Sequence, residues 1–528
     1  MVSALAGPAL GQASTAKVQD LPMDAQTPPL GFPGRDDGAG SPVLYTKLIG
    51  NQIVGYYKTT GTSFYEGGGS IRRFTLPSPL PSLSSNPSAT FSARIADGSY
   101  GLNLSKVQGP QSLLLVEAVG NHPGTGQLSG LLFAGATGHN VPNPFDPTQK
   151  LGSIARKVSL ILTNEVSPGE LFPIPQVTSV APVSHLTTDY QLRGASGRGP
   201  EGMAVLDQGN DRFVFVNNYH EGTVTIFHIK VSDPFNRGPR PLCELTIDAV
   251  GGQSLGSFPE PEGNLNRPLA IAQFTCPMQS PKKYLLVGLN FDPPPDECPL
   301  PPHLCTGADG FPDEGFFDYL VAVDVSNLAP TPASCQSLTP VPIVLGPSNQ
   351  GTVASIAVHP DGDMAYVVSS DFPPPYQDDP QEEYLYAVDL CQLQTVKSIR
   401  LTGAFPGLGL PKNSAEKIVA FRNPNLVTKP ERLYIGTNKA PTSGQFDDGH
   451  ILVFDITASA KSCPAFRMDF DLTNSDTSIL PKTAFEVTGL VAVPVAFLGQ
   501  DTSRNVIIGV GTDFDINRKD RLILFEDR

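Results

Sequence analysis

The sequence predicts an all-β fold, a seven-bladed β-propeller of four-stranded antiparallel blades. Three observations lead there. Gly and Pro are abundant, at 51 and 53 of 528 residues, while 16% of residues are charged; this is a turn-rich composition unlike that of helical chains. Short β-branched and aromatic runs succeed one another with almost no helical periodicity. One hairpin pattern recurs along the chain, in about seven units, which is the signature of a repeat architecture.

The elements follow in order. The hairpin type is clearest in "RFVFVNNYHEGTVTIFHI" (Arg212 to Ile229), where two apolar strands flank a polar turn. Its relatives are "QIVGYYKTTGTSFYEGGGSIRRFTL", "GLLFAGATGHN" with "KVSLILTN", "KYLLVGLNFDPPP" with "DYLVAVDV", "MAYVVSSDFPPP" with "YLYAVDL", "RLYIGTNKAP" with "GHILVFDI", and "NVIIGVGTDFDINRKD" with "RLILFED". Upstream of most lies a further strand, as in "GPEGMAVL", "VASIAVHPDGD" and "AEKIVAF". Downstream of several lies a fourth, as in "PLCELTI" and "QTVKSIRL". Four antiparallel strands per repeat form a propeller blade. Closing such a ring removes exposed sheet edges, and residues before Ser41 are placed to supply the last outer strand.

"DRFVFVNNYHEGTVTIFHI" and "AVHPDGDMAYVVSS…YLYAVDL" resemble the repeats of YVTN-type, lactonase-like seven-bladed propellers. The resemblance implies the fold from residue 42 to residue 528 and does not imply an activity, because the repeat is a folding motif.

Residues 1–41 read as a flexible leader. "MVSALAGPALGQASTAKVQD" is similar to the tail of a secretory signal, with a small-residue cleavage site near Ala13; a disordered N-terminus is the alternative. No apolar run reaches the ~20 residues of a membrane helix. Seven cysteines occur. Cys298 and Cys305, close together in "CPLPPHLC", read as a local disulfide and point to a secreted or periplasmic protein. The other five could hold two more bridges of unknown pairing.

The net charge is −15. That repels phosphate backbones and anionic lipid, so nucleic acid is excluded and a protein partner or a small neutral or cationic ligand is favoured. The long insertions fall mainly between the second and third strands of each repeat. Insertions confined to one face mark the binding face of a repeat protein. They are rich in Pro and in carboxylates such as Asp292, Asp296, Asp371, Asp378 and Asp379; solvated loop residues are the simpler reading.

Three sets of residues are candidates for chemistry. Asp513, Asp515 and Asn517 alternate in "DFDINRKD" like the first half of a calcium loop, although Arg518 stands where Gly is expected and only Asp520 could close it. His139 and His220 occupy comparable turns and, with Glu221, could bind a transition metal or act as acid and base. Glu201 in "GPEGMAV" resembles the channel-lining Glu of calcium-dependent gluconolactonase and paraoxonase-like hydrolases. That resemblance implies Glu201, Asn217 and Asn218 around a channel Ca²⁺, acting as Lewis acid, with His220 as base. For each set the alternative is an ordinary polar turn or strand end. No Cys-x-x-Cys-His motif or phosphate-binding loop is present. The reading is therefore a binding or scaffold module, with a calcium-dependent lactone or ester hydrolase as the alternative.

Overall fold

The computed structural model describes residues 14–21, 39–59, 70–96, 110–122, 126–136, 142–143, 146–150, 157–163, 200–218, 223–232, 240–247, 249–250, 253–254, 269–277, 279–289, 317–347, 353–369, 383–401, 413–426, 430–439, 441–442, 445–446, 449–472, 485–513 and 520–528. Their strands form six four-stranded antiparallel sheets. Blade I comprises Gly40–Leu44, Gln52–Thr59, Ser70–Pro77 and Thr90–Ala96. Blade II comprises Pro200–Gln208, Asp211–Asn218, Thr223–Lys230 and Arg240–Thr246. Blade III comprises Leu269–Thr275, Pro281–Leu289, Phe317–Asp324 and Pro340–Pro347. Blade IV comprises Val353–Val358, Met364–Ser369, Tyr384–Asp389 and Gln394–Arg400. Blade V comprises Asn413–Arg422, Glu431–Lys439, His450–Asp455 and Ala465–Asp471. Blade VI comprises Phe485–Ala492, Asn505–Asp513, Asp520–Asp527 and, from the other end of the chain, Thr15–Asp20.

The expectation of seven four-stranded blades is corrected to six. Between blades I and II in sequence stands a three-stranded sheet, Pro110–His122, Gly126–Ala136 and Lys157–Thr163. Its first strand packs on the inner strands of both neighbours. A hairpin pattern marks two strands of a unit and does not count the other two, so it could not distinguish this sheet from the rest. The first strands touch in succession around the axis, and the last touches the first, closing the ring.

Each blade is buried on both faces, so its middle strands read as continuous apolar runs: every residue of Met364–Ser369 and of Asp520–Asp527 is buried. Alternation decides which neighbour a side chain meets. In blade II, Phe213 and Phe215 pack with Leu285 and Val287 of blade III. Val214 and Val216 pack with Leu131 and Phe133 of the three-stranded sheet.

Closure is made by Thr15–Asp20, paired antiparallel to Asp520–Asp527 from Thr15 opposite Glu526 to Asp20 opposite Arg521. Beside it Gln19 Oε1 accepts the Ala89 N–H at 2.8 Å, tying the strand to blade I. The fully buried Arg504 donates to Glu526 at 2.6 Å and to the carbonyls of Leu80 and Pro81. Glu526 in turn accepts the Leu83 N–H at 3.1 Å. A buried guanidinium is tolerable because these acceptors meet its N–H groups. Tyr434 of blade V donates to Asp527 at 2.9 Å and accepts from Asn505 at 2.6 Å.

Two disulfides staple blades II, III and IV. Cys243, on the outer strand of blade II, joins Cys335 on the helix α1 (Pro332–Gln336) of blade III, with Cα atoms 6.1 Å apart. Cys276, just after the inner strand of blade III, joins Cys391 of blade IV at 5.7 Å. Both separations suit the bond. Cys463 is free and exposed. Two bridges among those five cysteines match the sequence reading; Cys298 and Cys305 lie outside the described residues.

Candidate functional site at the loop-bearing end

In an antiparallel four-stranded blade, the connection from second to third strand emerges at the end where the inner strand begins. The links between blades emerge there too. In this chain the second-to-third connections include 290–316 in blade III, 370–382 in blade IV, 440–449 in blade V and 514–519 in blade VI. Segment 290–316 holds six Asp or Glu and segment 370–382 holds four, and neither contains Lys or Arg. Asp292, Asp296, Asp371, Asp378 and Asp379 lie in these segments, outside the described residues; His139, His220, Glu221, Asp515 and Asn517, elsewhere in the sequence, are also outside them. Asp513 ends the second strand of blade VI. Asp520 opens the next strand and is buried against Thr512 in register.

At this end every described inner strand except that of blade III has a feature that sequence reasoning missed. A β-bulge interrupts the pairing between Gly40 and Val43, Pro110 and Ser112, Pro200 and Met203, Val353 and Ser355, Ala415 and Lys417, and Val487 and Gly489. Bulges re-aim side chains and recur beside functional sites. Glu201 lies in the blade II bulge, and Glu416 has the matching place in blade V. "PEG" and "AEK" before an apolar strand are the only sequence trace of this correspondence.

Asn217 Oδ1 accepts the N–H of Gly202 and so pins the blade II bulge. Asn218 donates to the hydroxyls of Thr223 at 2.8 Å and Thr225 at 3.0 Å. Its own Oδ1 is buried and accepts no hydrogen bond among the described residues. Both amides are fully buried. As consecutive strand residues they face opposite sides of the sheet: Asn218 lies on the Val214 and Val216 side, Asn217 on the Phe213 and Phe215 side. The two amides therefore face different seams; the Glu201 side chain and His220, which the hydrolase resemblance also implies, lie outside the described residues. A second carboxylate does act here: the buried Glu383 of blade IV accepts the Ala415 N–H of blade V at 2.9 Å, across the seam and beside the Glu416 bulge.

The opposite end carries a charged cluster at the seam of blades IV and V. His359, Asp361 and Asp363 come close enough to share an ion. The Lys461 ammonium of blade V fills that position, 2.8 Å from Asp361 and 2.5 Å from Asp363. Arg422 bonds Asp361 and Glu431. Hydrogen bonds from Lys461 and Arg422 hold the Asp361 carboxyl down to about 2. The cluster is an ion-paired clasp between blades, not a metal seat.

No family model matches the chain, and no curated protein matches it. Among solved structures, it is similar to the α-L-arabinofuranosidase Arb93A from Fusarium graminearum in complex with an iminosugar inhibitor. That match has TM-score 0.38 and 9% identity, covering 97% of each chain. It is also similar to the Cps50 (Swd1) β-propeller domain from Myceliophthora thermophila, with TM-score 0.28 and 7% identity over 78% of this chain and 98% of the other. A complex of KlAtg21 with the coiled-coil of AgAtg16 matches with TM-score 0.34 and 10% identity over 91% and 94%. At such scores these likenesses carry no functional argument.

Proposed function

We propose that the protein is a β-propeller binding module that engages a cationic partner at the loop-bearing end of the ring. The observation that carries this reading is the contrast between the two ends. One receives the long, acidic second-to-third connections. The other carries the ion-paired clasp between blades IV and V and the Cys276–Cys391 bridge. A rigid scaffold that presents loops from one face is the usual arrangement of a binding surface. Segments rich in carboxylates and lacking Lys and Arg of their own draw a positively charged partner and raise its association rate. The two disulfides support an oxidising compartment, hence a secreted or periplasmic location.

The test uses an oligolysine peptide as probe, with oligoglutamate of equal length as control. The whole chain should bind oligolysine, with affinity falling as salt rises. Replacing the acidic residues of 290–316 and 370–382 by their amides should abolish most of that binding. Equal binding of both peptides, or unchanged binding after neutralisation, would overturn the reading.

A further inference from the structure

We propose that the seam between blades IV and V, at the end opposite the acidic connections, is an acid-released latch: a proton taken up by His359 frees the connection 456–464 of blade V from blade IV. The His359 side chain is fully buried, in the turn between the first two strands of blade IV. Both ring nitrogens are committed. Nε2 lies 3.1 Å from the Ile456 carbonyl across the seam, so it carries the hydrogen. Nδ1 accepts the Asp361 N–H at 3.1 Å. The ring is held as the neutral tautomer, and a second proton can go only onto Nδ1. There it would face a backbone donor, lose an acceptor role and create a buried cation.

The charged surroundings do not rescue that cation. On blade IV, Asp361 approaches Nδ1 at 3.5 Å, but Lys461 and Arg422 hold its oxygens. Asp363 is held by Lys461. From blade V come Lys461, which repels the cation, Arg422, and Glu431, which Arg422 engages. The Tyr366 ring stands edge-on to the imidazole at 6.2 Å, and its hydroxyl donates to the Lys461 carbonyl at 3.0 Å. Burial, then Lys461, holds His359 below its usual value. A His depressed in the closed state binds its proton better once the seam opens. Closure is therefore favoured above the ordinary histidine value and weakens as pH falls below it.

Hydrogen exchange with mass spectrometry on the whole chain, from pH 7.5 to 5 and corrected for intrinsic rates, tests this. Peptides carrying the Asp361 amide and the 456–463 connection should lose protection by about tenfold per pH unit below about 6.5. The connection 390–393 of blade IV should keep its protection. His359→Gln retains an N–H for Ile456 and cannot titrate, so its protection should be flat with pH. Constant protection of the seam in the wild-type chain, parallel loss across all blades, or the same acid loss in His359→Gln would each overturn the latch. If the variant does not fold, the wild-type comparison of 456–463 with 390–393 decides.

Discussion

Removing the Cys276–Cys391 bridge as the double variant Cys276→Ala with Cys391→Ala should destabilise the protein by several kcal/mol. The bridge spans a sequence separation of 115 residues. In the chain-entropy treatment, closing a loop of that length restricts the unfolded chain by about 5 kcal/mol. Two structural features modify the figure. The Cys243–Cys335 loop overlaps this one and already shortens the free path in the unfolded chain, though path length enters only logarithmically. Cys276 is almost fully buried, so its truncation adds a small cavity cost. About 4–5 kcal/mol is therefore expected. The assay is equilibrium guanidinium unfolding followed by far-UV circular dichroism, since no Trp is available as a reporter. The variant should unfold at lower denaturant, and exchange protection should fall first at the seam of blades III and IV. A loss below about 1 kcal/mol would refute the reasoning, because it would mean that the bridge does not constrain the unfolded chain.

Other outcomes follow from single sites. Gly362 has φ +84°, and a Cβ there would lie 1.8 Å from the Gln273 carbonyl oxygen. Gly362→Ala should cost at least about 1–3 kcal/mol in thermal or chemical unfolding, and a neutral effect would show that the turn can shift. Asp361 is depressed to about 2, so the stability it contributes is present above the ordinary carboxylate value and is lost as pH falls from about 4 through about 2. Asp361→Asn should be less stable at neutral pH and lose less on acidification over that range, measured by melting temperature against pH. For the alternative hydrolase reading, turnover of lactones and aryl esters should be chelator-sensitive and abolished by Glu201→Gln; absence of turnover with added Ca²⁺ eliminates it.

Much of the fold was legible because strand periodicity and turn chemistry are local. The Pro360-Asp361-Gly362 turn is written in three consecutive residues, and "RFVFVNN" with "TVTIFHI" pairs in the register its pattern implies, Asn218 opposite Thr223. The need for a closing strand was also legible, but not that "TAKVQD" provides it. The candidate site was less legible. A bulge depends on the register of two strands, so nothing in "GPEGMAVL" alone reveals it, and adjacent asparagines in "VNN" look like a pair until alternation sends them to opposite seams.

The order of hairpins, the acid-rich composition of their longest connections and the surplus of negative charge belong to the sequence, because each depends on neighbours along the chain. Only the tertiary structure decided that, among the described residues, six sheets have four strands and one has three, that Cys243 meets Cys335 and Cys276 meets Cys391, and that Lys461 lies among His359, Asp361 and Asp363. These contacts join residues roughly 90 to 115 positions apart. Their partners are selected by how the blades pack around the axis, and no local pattern records that choice.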